Sequence, residues 1–197
     1  MVKLRAVAPF ALGVLLALAG GWMAFPRVLY RRIEQPVQFS HKVHTGEQGG
    51  MSCEDCHSFG DDGRFSGIPA IGNCAGCHSE PLGTSLAEKQ LIDEYVSKNR
   101  EIPWLVYARQ PENARFAHAP HVKLAGIACE RCHGPHGTSH VLRPLQQNRL
   151  STYSRDVEGY SLARLQVAEW EEGMKMDDCA RCHRERGVQQ SCLTCHK

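Results

Sequence analysis

Aromatic side chains are scarce in this chain. Phe, Trp and Tyr make up 7% of its 197 residues, which leaves a polypeptide core thin for this length. Strong charge of either sign is also missing. Lys and Arg number 23 and Asp and Glu 21, for a formal +2. Basic residues gather only in short clusters such as Arg27, Arg31 and Arg32, which argues against a nucleic-acid partner. Isolated cysteines are absent. All ten fall in one pentapeptide, Cys-x-x-Cys-His, repeated five times.

The copies begin at Cys53, Cys74, Cys129, Cys179 and Cys192. Their second cysteines are Cys56, Cys77, Cys132, Cys182 and Cys195, and their histidines are His57, His78, His133, His183 and His196. This is the attachment site of c-type haem. Two thiols form thioethers to the porphyrin edge, and the adjacent histidine reaches the iron as proximal ligand. Zinc ribbons need two cysteine pairs per metal, so five pairs leave one over, and nothing in them calls for the histidines. A disulfide framework explains neither the spacing nor the histidines, and a thioredoxin-like motif would occur once. Five covalent haems are therefore expected. No cysteine remains for another, so a sixth haem, if bound, is held without thioethers. The haems supply the apolar planes that side chains do not. Their propionates also turn the slightly basic chain into an acidic protein, a surface that steers a basic electron-transfer partner.

Six histidines remain for the far side of the irons: His41, His44, His118, His121, His136 and His140. Four of them form an internal repeat. Phe39-Ser40-His41-Lys42-Val43-His44 precedes the first motif, and Phe116-Ala117-His118-Ala119-Pro120-His121 precedes the third. Histidines three apart can serve different haems on either side of the segment, while the Phe packs on a porphyrin face. His136 and His140 flank a turn after the third motif, and one of them is expected to complete the distal set. Met51, Met174 and Met176 lie near motifs and are alternative axial ligands. Iron with two strong protein ligands has no open position, which favours electron transfer over catalysis. No motif carries lysine in place of its histidine.

The N-terminus reads as a membrane anchor. Lys3 and Arg5 precede an apolar stretch from Ala6 to Phe25, of the length that spans a bilayer. Trp22, Phe25 and Tyr30 suit an interfacial belt. Ala17-Leu18-Ala19 would serve as a cleavage site in the competing reading as a signal peptide, but the apolar run continues past it. Thioethers are made outside the cytoplasm in bacteria. The expected topology is therefore a single pass through the inner (cytoplasmic) membrane with the haem domain in the periplasm.

The organisation expected is an anchor and polar stalk over 1–32, a two-haem module over 33–85, a connector over 86–115 and a three-haem module over 116–197. The fold class expected is a mostly α or irregular multihaem cytochrome c: an N-terminal transmembrane helix, then a haem-packed periplasmic domain with little sheet. In the connector, Ser85-x-x-Glu88 has the form of a capping box. Leu86, Leu91, Ile92, Tyr95 and Val96 share a helical face, with Asn99 as its stop and Pro103 beyond. Trp104 to Ala108 is read as an extended apolar stretch that packs on the domain or docks a partner. Leu162, Leu165, Ala168 and Trp170 suggest a further short helix. Gly60 to Gly72 reads as an ordinary surface loop.

The Phe-x-His-x-x-His segments followed by haem motifs resemble class III multihaem cytochromes. A wider resemblance covers nearly the whole chain. The anchor, Gln38-Phe39-Ser40-His41-Lys42, Met51-Ser52-Cys53, Pro103 to Pro111 and Met174 to Cys179 look like the membrane-anchored multihaem subunits of menaquinone reductase complexes. That resemblance implies a non-enzymatic relay. Electrons would come from a soluble periplasmic tetrahaem cytochrome c and pass to iron–sulfur, molybdopterin-enzyme-like and quinone-binding membrane subunits. The related pentahaem subunit of alternative complex III implies the reverse direction, in a quinol-oxidising complex. A free tethered quinol-dehydrogenase cytochrome, and a multihaem reductase with one open iron, are the other readings to separate.

Overall fold

The computed structural model describes residues 2–158, 174–189 and 191–196. Every cysteine and histidine lies within them, whereas the helix expected around Leu162 to Trp170 lies outside. Helix α1 runs from Val2 to Leu29. Its window Val7–Phe25 has a mean hydropathy of 1.9 and is exposed throughout. An unburied apolar helix of this length fits a transmembrane anchor.

The chain leaves α1 directly into strand β1, Tyr30–Ile33. β1 pairs antiparallel with β2, Leu145–Asn148, with Tyr30 opposite Asn148 and Ile33 opposite Leu145. The polar stalk expected here is thus in large part a paired strand. The side chains explain why. Arg31 donates to Gln147 Oε1 at 2.6 Å, Arg149 N donates to Leu29 O at 2.8 Å, and the Tyr30 hydroxyl donates to Glu158. Burial, reinforced by Glu158, raises the Tyr30 pKa. Alongside β2, Arg143 forms a two-pronged ion pair with the buried Asp156.

The remaining described elements are short. They are α2 (His41–Thr45), α3 (Cys53–Cys56), α4 (Ile71–Ala75), α5 (Leu86–Leu91), α6 (Glu130–His133), α7 (Met176–Glu185) and α8 (Cys192–Cys195), with π-helical turns at Ile92–Val96 and Pro120–Leu124 and a 3-10 turn at His136–Thr138. The two strands are the only sheet among the described residues.

The core is as thin as the composition requires. Val37, Ile71, Tyr95 and Ile102 are buried together, with Leu91, Val96 and Trp104 packed against them. Trp104 therefore joins the core, while Val106 is exposed. Gln35 fixes the stretch by exchanging two hydrogen bonds with the Leu105 backbone. Leu82, Leu86, Leu124, Leu150 and Leu193 are each more than 70% exposed. Leu86 thus leaves the buried face that its helical spacing predicted. Asn99 ends the helical stretch at φ 45°, as its position suggested.

Candidate haem sites

Each Cys-x-x-Cys-His unit folds as about one helical turn. In four of them the histidine N–H donates back to the carbonyl of the first cysteine: His57 to Cys53 at 2.8 Å, His78 to Cys74 at 2.9 Å, His133 to Cys129 at 3.0 Å and His196 to Cys192 at 2.9 Å. An offset of three and four residues puts both thiols and the imidazole on one side of the turn. Local caps start three of these turns, α8 among them, where Ser191 N donates to Thr194 Oγ1 at 3.2 Å. Ser52 N donates to Asp55 Oδ2 at 2.7 Å ahead of α3, and Lys175 N to Asp178 Oδ2 at 3.0 Å ahead of α7. The Ser52 hydrogen bonds hold the Asp55 carboxyl below its usual range.

All ten cysteines are free thiols, so no disulfide framework exists. Among the described residues, histidine, cysteine and carboxylate groups do not gather into a set able to hold a metal ion by themselves. The thiols do meet across motifs. Burial raises the Cys56 pKa, and Asp55 and Cys77 add to it. Burial and then Cys53 raise Cys129. Burial and then Cys182 raise Cys132. Cys179 is pushed up to about 11 by burial, with Cys132, Asp178 and Cys195 contributing. The motifs thus neighbour one another in the order second, first, third, fourth, fifth. Other contacts tie the motif segments together. Lys123 Nζ reaches Glu54 Oε2 at 2.7 Å, Met174 N donates to Cys132 O at 3.1 Å, and Arg115 N donates to Cys195 O at 2.6 Å.

The histidines face each other in pairs. Ring centroids are separated by 6.0 Å for His44 and His78, 6.2 Å for His118 and His133, and 6.1 Å for His121 and His183. A fourth pair, His41 and His136, lies at 6.3 Å and includes no motif histidine. Two metal–nitrogen bonds of about 2 Å, plus roughly 1 Å from each ring centre to its nitrogen, span about 6 Å. The spacing therefore suits one iron between two imidazoles. The repeat segments produce it as their spacing suggested, with the two histidines of each segment facing different partners. In both, the Phe ring stacks on the second histidine, at 4.2 Å for Phe39 on His44 and 4.7 Å for Phe116 on His121.

Hydrogen bonds at Nδ1 orient the rings. His44 donates to Ser40 O at 2.8 Å, His57 to Gly67 O at 2.7 Å and His121 to Ala117 O at 2.8 Å. His78 donates to Glu88 Oε1 at 2.9 Å, and His41 lies 3.1 Å from Ser139 Oγ, which itself donates to His136 O. A protonated Nδ1 leaves the Nε2 lone pair for a metal. Burial, with His136 next, lowers the His41 pKa to about 4. Burial likewise lowers His118 and His133. These rings are neutral at pH 7, as ligation requires. Rings, thiols and thin core together fit covalently bound haem.

Several supports escaped the sequence reading. The Gly60 to Gly72 loop is more than a surface connection. Its Phe65 stacks on His118 at 4.1 Å and lies 6.3 Å from His57. Gly67, at φ 81°, turns the chain so that its carbonyl meets His57, a conformation that favours glycine. Glu88 does not close a capping box on Ser85, whose side chain makes no cap bond. It accepts from Leu82 N and Gly83 N as well as His78, because the chain before α5 folds back over the helix. A glycine two residues before Pro69 was the available signal at 67; nothing local marked Glu88.

Residues 24–102 match the class III cytochrome C family. Over 206 aligned positions the chain is 40% identical to the menaquinone reductase multihaem cytochrome c subunit of Nitratidesulfovibrio vulgaris (strain Hildenborough). The alignment covers 96% of this chain and 90% of that protein.

Proposed function

Because the chain belongs to the family of the menaquinone reductase multihaem cytochrome c subunit, we propose that it is the electron-entry subunit of a menaquinone-reducing membrane complex. It would take electrons from a soluble periplasmic tetrahaem cytochrome c. It would deliver them to iron–sulfur, molybdopterin-enzyme-like and quinone-binding partners. The haem domain then stands on the periplasmic side of the inner membrane.

The observation that carries this reading is the set of facing histidines along a contiguous line of motifs. Bound haem supplies a one-electron iron couple. The chain's residues would hold three of the covalent haem irons between two facing rings each, leaving no position for substrate there. His44 with His78, His118 with His133 and His121 with His183 would hold the irons of the second, third and fourth haems. His41 with His136 frames a position for a sixth haem without thioethers. His140 remains alongside His57 and His196, the proximal residues of the first and fifth haems. The β1–β2 pairing favours a complex subunit over a tethered carrier, since it locks the anchor to the haem domain where a roaming carrier needs a slack linker.

The test is purification from native membranes in mild detergent. Iron–sulfur and multi-span quinone-binding subunits should co-elute, and the preparation should pass electrons from a reduced tetrahaem cytochrome to a menaquinone analogue. Recovery of this chain alone would overturn the reading, and a partner that oxidises quinol would reverse its direction.

A further inference from the structure

Of the five Nδ1 partners described above, four are neutral oxygens and one is a carboxylate. Glu88 Oε1 accepts from His78 at 2.9 Å and from Leu82 N at 2.8 Å, while Oε2 accepts from Gly83 N at 2.9 Å. The side chains of His78 and Glu88 are only 17% and 12% exposed. Three N–H donors therefore hold one carboxylate in a single place, largely shielded from water. Nothing in the covalent motif requires it, because His57 occupies the same motif position and leans on the Gly67 carbonyl.

We propose that Glu88 is a positioning residue that lowers the reduction potential of the second haem. The inference rests on His78 being an iron ligand. The argument is electrostatic. A carboxylate on Nδ1–H draws the ring proton toward itself and makes Nε2 a stronger donor to iron. Its fixed negative charge also favours ferric over ferrous iron, and poor solvent screening preserves that preference. Axial-ligand hydrogen bonding and local charge are among the means by which a protein sets haem potential. The second haem lies at one end of the line of motifs, so its low potential makes it an end that passes electrons inward rather than storing them.

The test is Glu88→Gln in the full-length holoprotein, read by potentiometric titration with optical and EPR detection. Gln keeps the length and can still accept from Nδ1–H, but it carries no charge. One haem should shift toward the reduced state by about tenfold in its equilibrium, equivalent to 59 mV for one electron. The others should hold. Glu101→Gln is the charge control. Glu101 Oε2 accepts from Ile71 N at 2.9 Å beside the same motif but is not the Nδ1 partner of His78, so its shift should be smaller. Unmoved potentials in Glu88→Gln, or equal shifts in both variants, would overturn the proposal. If Glu88→Gln sheds the second haem, Glu88→Asp decides in its place. It keeps the charge but withdraws it from Nδ1, so one haem should rise by a smaller amount, and an unmoved set of potentials removes the proposal. The wild-type spectrum separates this failure from that of the ligand reading. Low-spin iron at the second haem keeps His78 as a ligand even where Glu88 proves idle.

Discussion

The two Phe-x-His-x-x-His segments reach one ring geometry by different backbones. Phe39 and Phe116 meet their first histidines edge-on, at 4.9 Å and 81° and at 4.8 Å and 84°. Both stack on their second histidines. Yet the first segment enters a capped α-turn, with Ser40 Oγ accepting from Val43 N at 3.3 Å. The second enters a π-turn with Pro120 at its start and no side-chain cap. The targets also differ. Both second histidines face a motif histidine. Among the first, His118 faces the motif residue His133, whereas His41 faces His136. Local side-chain spacing thus fixes the rings relative to one another, and the segment packed across decides what they meet. For His41 that segment is Gly137 to Ser139, tied on by Thr45 Oγ1 to Gly137 O at 2.7 Å and Lys42 N to Ser139 O at 3.0 Å.

The sharpest way to break the comparison is to remove the first histidine of each segment. His118→Ala should keep all five thioether-bound haems and turn one low-spin iron high-spin. His41→Ala should leave the spin states of the covalent haems unchanged and abolish a haem that acid acetone extracts from the wild type. Intact-mass, haemochrome and EPR measurements read both. A covalent haem turning high-spin in His41→Ala would instead assign His41 to a motif iron and remove the sixth position.

A smaller effect separates the backbones. Ser40→Ala should destabilise the holoprotein by about 1 kcal/mol through loss of the helix cap. Ala119→Ser, at the residue before the second turn, should leave stability unchanged, since the backbone there is already helical rather than extended as at Ser40 and does not present a hydroxyl as a cap. Denaturant unfolding followed at the Soret band checks the pair, and equal effects would erase the distinction drawn here. The smallest effect concerns the tie between the halves. Glu54→Gln breaks the half-exposed pair with Lys123 and should cost about 0.5 kcal/mol or less. That cost should fade in high salt, and a larger, salt-resistant loss would show the contact to be more than a surface pair.

What was legible in the sequence was what is local. The motif spacing specifies the turn that aligns two thiols and a histidine, the apolar run specifies α1, and the Phe-His-His spacing specifies three rings. What stayed hidden depends on distant segments. The Gln147 that pairs with Arg31, the Ser139 beneath His41 and the Glu88 beneath His78 carry no period or motif that points to their partners. Glu88 was misread for a physical reason. Its offset from Ser85 is that of a capping box, but the backbone N–H groups of Leu82 and Gly83 and the His78 ring lie nearer. A carboxylate satisfies the donors that the tertiary fold brings to it.

The pairing of β1 with β2 also bears on how the protein is made. Tyr30 to Ile33 emerge directly behind the anchor, and their partner strand begins more than a hundred positions later. Such a contact is slow to form because the whole intervening loop must close first. Until then the nascent chain hangs from the bilayer with an unmated strand edge beside three of its five motifs, and an open edge invites foreign pairing and proteolysis. Biogenesis therefore has a window of vulnerability that opens with residue 30 and shuts only with the arrival of residue 148.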